Sequence, residues 1–207
     1  MVIDHPIFLE SIRFIRSQLL ANDLNYLEKK VLERLVHTSG DFSIQNLLEF
    51  SEEACEKGLQ ALKNGAPILT DTDMAAAAIK SMAEKTTRNK VFTASMWFGE
   101  NNHIEITKTA YGLSEGWKYL SSINSGSKSP IVVIGSSPTA LTYLIDILEN
   151  AKDLPSLIIG LPVGFICVEN SKNKLISTDL PRIVLNSTRG GAAMAAAAVN
   201  ALLRETI

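Results

Sequence analysis

The chain has 207 residues, 46% of them apolar, and a formal net charge of −2. That length buries an adequate core without disulfides and suits one domain over residues 1–207. The near-neutral charge excludes a general nucleic-acid binder, which needs a basic face to neutralise phosphates.

The first residues, Met1 to Pro6, lack the basic stretch and long apolar run of a signal peptide, and no later run approaches a membrane span, so a cytoplasmic protein is expected. Ile7, Phe8, Ile12, Ile15 and Leu19 recur at helical spacing and predict a helix over 7–20. Leu24, Leu27, Val31, Leu32 and Leu35 predict a second, capped by Asn22 or Asp23 and ending at Gly40. Ser51 reads as the cap of a third helix, which Gly65 ends. Pro67 to Thr70 is the first strand, and Asp71 to Asp73 can cap the alanine-rich helix that follows. Val91 to Ser95 is the second strand and 100–105 a loop. Thr107 caps a helix to Ile123, and residues 124–130 form a turn-rich link.

Ile131 to Ile134 and Leu157 to Gly160 are apolar without alternation, as strands buried on both faces are. Helices are expected over 138–150 and 169–175, a last strand over 182–186, and a final helix after Gly191. Its run Ala192 to Ala198 has little bulk, so a neighbouring helix or subunit can approach closely. The expected fold is α/β: a five-stranded, mainly parallel sheet flanked by helices, after an N-terminal helical segment.

Ligands of such folds collect beyond the carboxyl ends of the strands. Two loops stand there: Gly135 to Thr139, containing Ser136 and Ser137, where Pro138 opens a helix and leaves backbone N–H groups outward; and Gly160 to Phe165, containing Pro162 and Gly164. Thr139, and Arg189 with Gly190 and Gly191, mark helix starts able to hold an anion or merely to be capped. Neither loop matches a dinucleotide or P-loop pattern, which disfavours a nucleotide binder.

His37 falls at the carboxyl end of its helix, where the dipole and Asp41 favour an imidazolium; it reads either as a proton donor or as a cap of the helix carbonyls. Arg34, one turn earlier, suits a substrate carboxylate or a surface glutamate. Lys108 and Lys172 read as solvated lysines beside the candidate loops. Cys55 and Cys167 are expected to be buried free thiols, and His5 and His103 have no ligand-like spacing, so no metal site is expected.

Together these segments resemble the precorrin-8X methylmutases of cobalamin biosynthesis. The resemblance rests on Arg34 with His37, Gly65 to Ile68, Asp73-Met74, Thr107, Gly135 with Pro138 to Leu141, Gly160 with Pro162 to Phe165, Ser171-Lys172, and Gly190-Gly191 with Ala197 to Leu202. It spans nearly the whole chain in one order.

It implies an isomerase that moves a methyl group from C-11 to C-12 of a tetrapyrrole macrocycle without cofactor, His37 serving as proton donor and acceptor. It further implies substrate contacts at Ser11, Arg34, Thr107, Lys108, Ser136, Ser137, Thr139, Pro162, Gly164, Phe165, Lys172, Arg189, Gly190 and Gly191. Family members are homodimers with the pocket near the subunit interface, and the alanine-rich helices around Ala75 and Ala195 are candidates for that contact. The chain departs from the family pattern at Lys108, where an arginine is usual, at Ser136-Ser137, where the family has Asn-Ala, and at Ile12, where it has an aromatic residue. A non-catalytic corrinoid carrier is the alternative.

Overall fold

The computed structural model describes residues 5–21, 23–99 and 106–207. The predicted loop over 100–105 and His103 lie outside them, as does Asn22.

Two helices, α1 (Pro6–Gln18) and α2 (Tyr26–Ser39), lead the described chain. His5 caps α1, its Nδ1 accepting from the Ile7 N–H at 3.3 Å. The cap of α2 is Asn25, not Asn22 or Asp23: its side chain accepts from the Glu28 N–H and Glu28 answers at the Asn25 N–H, a reciprocal capping box. Gly40 ends α2 at φ 65°, a left-handed conformation that glycine adopts without a Cβ penalty.

Then follow β1 (Leu48–Phe50), α3 (Ala54–Lys63), β2 (Ile68–Thr70), α4 (Asp73–Lys85), β3 (Val91–Thr93) and α5 (Lys108–Ile123). The chain closes with β4 (Ile131–Ile134), α6 (Pro138–Leu148), β5 (Leu157–Gly160), α7 (Val168–Ile176), β6 (Arg182–Leu185) and α8 (Ala192–Arg204). The sheet has six strands in the order β1-β6-β5-β4-β2-β3. All neighbours are parallel except β1, which runs antiparallel to β6 with Leu48 opposite Leu185. This sixth strand is the addition to the expected five; three residues are too few to show a period.

Smaller differences have local causes. Ser51 does not cap α3; its Oγ accepts from the Arg182 N–H and ties the β1 end to β6. The cap position belongs to Glu53, at φ 55°. β3 stops at Thr93, because Ala94–Trp97 turns into a short 3-10 helix.

Strand residues alternate between two cores. Ile68, Ile131, Val133, Leu157 and Ile159 meet α2, α3, α4 and α8, while Leu69, Val132, Ile134 and Ile158 meet α5, α6 and α7. Period-2 side chains of a doubly covered strand demand apolar residues at every position, which is why these strands read as unbroken apolar runs. Helix α8 is the hub of its layer, with Ala195, Ala196 and Ala198 almost wholly buried between α2 and α4. Ala75 is buried as well. The Ala75 and Ala195 side chains are thus used inside the chain, while Met74, Ala77 and Ala78 of the same α4 segment are exposed.

Among the described residues no helix is long and apolar enough to cross a membrane. Of the two cysteines expected to be buried, Cys55 is, and burial raises its thiol far above the usual range; Cys167 is exposed.

Candidate functional site

From β2 the chain moves outward to β3 on one side, whereas β4, β5 and β6 succeed each other on the other side. The order therefore reverses between β2 and β4, and the crevice beyond their carboxyl ends is the expected ligand position.

Asp71, the residue after β2, stands at that reversal. The sequence reading put the cap of α4 within Asp71 to Asp73, and of these Thr72 takes it, accepting from the Ala75 N–H. The Asp71 side chain is buried instead, its Oδ2 accepting from the N–H groups of Gly135, Ser136 and Ser137 at 3.1, 2.7 and 2.9 Å. Burial pushes its pKa up, while the three donors pull it down. The N–H groups expected to face a ligand at this loop are therefore occupied from within. The signal was available: an acid closing a buried parallel strand lies where such folds place their functional groups.

Above this carboxyl group hydroxyls form a chain. Ser137 caps α6 and Thr107 caps α5, and Thr139 bridges them, 3.1 Å from Ser137 Oγ and 2.9 Å from Thr107 Oγ1. Ser136, Thr139, Thr107 and Lys108 are exposed.

The loops after β5 and β6 interlock beside it. Gly164 N–H donates to Thr188 O at 3.0 Å, and Gly191 N–H to Leu161 O at 2.9 Å. Gly190 has φ 154°, and a Cβ there would stand 2.0 Å from Leu161 O, so only glycine fits. Pro162 is buried in this contact, whereas Phe165 and Ile166 are 90% and 80% exposed.

Lys172 is not a solvated lysine. It is fully buried, its Nζ donating to Ser187 O at 2.6 Å and Arg189 O at 2.7 Å. Desolvation lowers its pKa to about 8, the Glu169 charge opposing. Lys172 thereby holds the turn that carries Arg189. The Arg189 guanidinium pairs with Asp41 and donates to Ser43 Oγ at 2.6 Å, so it clamps the segment after α2 onto the β6–α8 loop.

That segment leads to His37. With Ser11, Ile7, Phe14, Val36 and Phe42 it lines an open groove of about 670 Å³ between α1 and α2. Asp41 is engaged by Arg189 and Ser43 instead of His37, and the imidazole pKa is lowered, by partial desolvation first and then by the Arg34 charge. Contrary to the expectation, these surroundings disfavour the imidazolium. Phe8 organises the neighbourhood, its ring meeting His37 edge-on at 5.3 Å and lying under the guanidiniums of Arg34 and Arg204 at 4.9 and 5.2 Å.

Arg34 does not share the His37 groove. It lines a separate hollow of about 260 Å³ with Arg13, Arg16, Lys30 and Arg204. A larger concavity, about 700 Å³, lies near Tyr26, Lys29 and Lys30; its Arg16 is already spent on a bidentate pair with Glu33, Nε to Oε1 at 2.5 Å. The structure thus brings together Ser11 with His37, Thr107 with Ser137 and Thr139, and Lys172 with Arg189, Gly190 and Gly191. Sequence reasoning gave Phe8 and Asp71 only structural roles and paired Asp41 with His37, whereas the structure pairs Asp41 with Arg189 and Ser43.

A model of the precorrin-8X methylmutase family matches residues 6–205. A cobalt-precorrin-8 methylmutase of Synechocystis is 30% identical, over 97% of this chain and 95% of its own. A precorrin-8X methylmutase of Pseudomonas aeruginosa is 35% identical, over 86% and 84%. The crystal structure of a precorrin-8X methylmutase from Thermus thermophilus superposes with a TM-score of 0.84 at 28% identity, covering 97% of this chain and 95% of that one. With the family model matched over residues 6–205, relatives 30 and 35% identical over most of both chains, and a shared fold, the chain belongs to the precorrin-8X methylmutase family.

Proposed function

We propose that the chain is an isomerase of cobalamin biosynthesis, moving the C-11 methyl group of precorrin-8X or its cobalt form to C-12 to give hydrogenobyrinate or cobyrinate. The observation that carries the reading is His37, an imidazole with a lowered pKa on the wall of a mainly apolar groove that Ser11 also lines. A broad, largely apolar macrocycle suits such walls, and its peripheral carboxylates suit the cations of the separate Arg34 hollow, since the groove itself holds Glu10 and, among the described residues, no lysine or arginine.

The carboxylates also resolve how an imidazole whose charged form is disfavoured comes to give a proton. Bringing negative charge beside His37 favours its charged form, so the ring takes up a proton as substrate binds. Delivered to the conjugated system, that proton draws electron density from C-12. The methyl group moves there with its bonding pair, and a proton leaves the macrocycle to the same imidazole. The steps sum to an isomerisation, with no redox change and no cofactor demanded.

Ser11, Arg34, Lys108 and the rim hydroxyls are read as contacts to the edge of the macrocycle. Lys172, Pro162, Gly190 and Gly191 act by shaping the loops, and Arg189 by holding Asp41 and Ser43. The protein is proposed to work in the cytoplasm as a homodimer, with exposed Phe165 and Ile166 beside the rim as its apolar contact. The carrier alternative has no support among the relatives, which are named as mutases.

The test is His37→Ala with precorrin-8X and with its cobalt form, following the product spectrum. Turnover is expected to fall by about 10²–10⁴, the usual worth of general acid–base catalysis, while pigment binding persists. Turnover at the wild-type rate removes the histidine from the mechanism.

A further inference from the structure

We infer that Asp71 is a positioning residue: its carboxyl oxygen fills, from inside the chain, an anion nest at the head of α6 and so fixes the rim hydroxyls of Ser137, Thr139 and Thr107. The inference rests on the proposed role of that rim in gripping the substrate.

Three consecutive N–H groups, those of Gly135, Ser136 and Ser137, converge on one atom, Asp71 Oδ2. Such convergence requires a concave arc of backbone, and at the start of a helix that arc is the usual seat of a bound anion. Here the seat is taken by a side chain arriving from β2, the strand next to β4, at the point where the sheet order reverses. Asp71 is only 2% exposed, and its Oδ1 has no hydrogen-bond partner among the described residues. A carboxyl group buried with one oxygen unpartnered is costly, and the three N–H bonds are what offset that cost.

Removing this acceptor orphans three donors in a desolvated place. Water or a rearranged loop must then satisfy them. Ser137 Oγ caps α6 through the Ala140 N–H, at 3.2 Å, and belongs to the same turn, so the hydroxyl chain through Thr139 to Thr107 moves with it. Those hydroxyls meet the edge of the macrocycle and not the reacting carbons, so the effect falls on KM more than on kcat.

The experiment compares Asp71→Ala, Asp71→Asn and added formate, a carboxylate small enough to enter the vacated space. Asp71→Ala is expected to raise KM about tenfold with kcat little changed. Formate should bring KM back toward wild type in that variant and do nothing to the parent enzyme. Asp71→Asn, whose amide oxygen can accept the same three hydrogen bonds, should behave like wild type. A folded Asp71→Ala with unchanged KM, or one indifferent to formate, overturns the inference, as does an Asp71→Asn as impaired as Asp71→Ala. Should Asp71→Ala fail to fold, Asp71→Asn alone decides by the same criterion. If wild type converts neither form of precorrin-8, the proposed function falls, and the inference is judged by amide exchange at Ser136 and Ser137. Faster exchange in Asp71→Ala that formate slows again upholds it, and equal exchange overturns it.

Discussion

Replacing Lys172 by methionine isolates the energetics of a buried cation whose hydrogen-bond partners are two carbonyls. In the folded chain desolvation lowers the pKa of Lys172 from 10.5 to about 8, and the unfolded chain returns it to 10.5. At pH 7 both states hold the proton, and the folded state bears the whole cost of burying it. Between pH 8 and 10.5 the unfolded state binds the extra proton, so stability must rise with pH. At about 1.4 kcal/mol per pKa unit, the full gain is about 3 kcal/mol, of which about 2 kcal/mol has accrued by pH 9.5. Other groups titrate over this range in both proteins and cancel in the difference. The assay is urea unfolding of wild type and Lys172→Met from pH 7 to 9.5. The wild-type-minus-variant difference should climb by about 2 kcal/mol, whatever its sign at pH 7. A flat difference would refute the argument, because it would mean that Lys172 reaches water or a carboxylate in solution.

Gly190→Ala should cost about 3 kcal/mol of stability in the same assay, since a Cβ cannot share space with Leu161 O and the Gly191 to Leu161 hydrogen bond goes with the displaced carbonyl; an unchanged midpoint would place the turn differently. Lys108→Ala should weaken binding of an acidic corrinoid by about fivefold, and Lys108→Arg should retain or tighten it, because the guanidinium fork offers a second hydrogen bond. Titrations of both variants overlaying wild type would exclude the start of α5 from the substrate site. Light scattering at micromolar concentration should find a dimer that Phe165→Asp converts to monomer, and a monomeric wild type rules out the proposed subunit contact.

Residue patterns alone determined the α/β class, the parallel runs of β4 and β5, and helix ends such as Gly40 and Thr107. Each is set by a period or a cap within a few residues of chain, which is the range at which sequence speaks directly. His37 with Ser11 came from matched family positions, and in the structure the two line one groove. Only tertiary structure decided which charges are spent. Asp71 meets its donors across 64–66 residues, Lys172 its carbonyls across 15 and 17, and Arg189 the Asp41 carboxylate across 148. A charged side chain reads alike whether it faces solvent, a substrate or a buried loop; its pKa and its role follow from the neighbours that folding brings, and those neighbours are distant in sequence. The same holds for β1, whose three residues become a strand only because β6 offers them an edge.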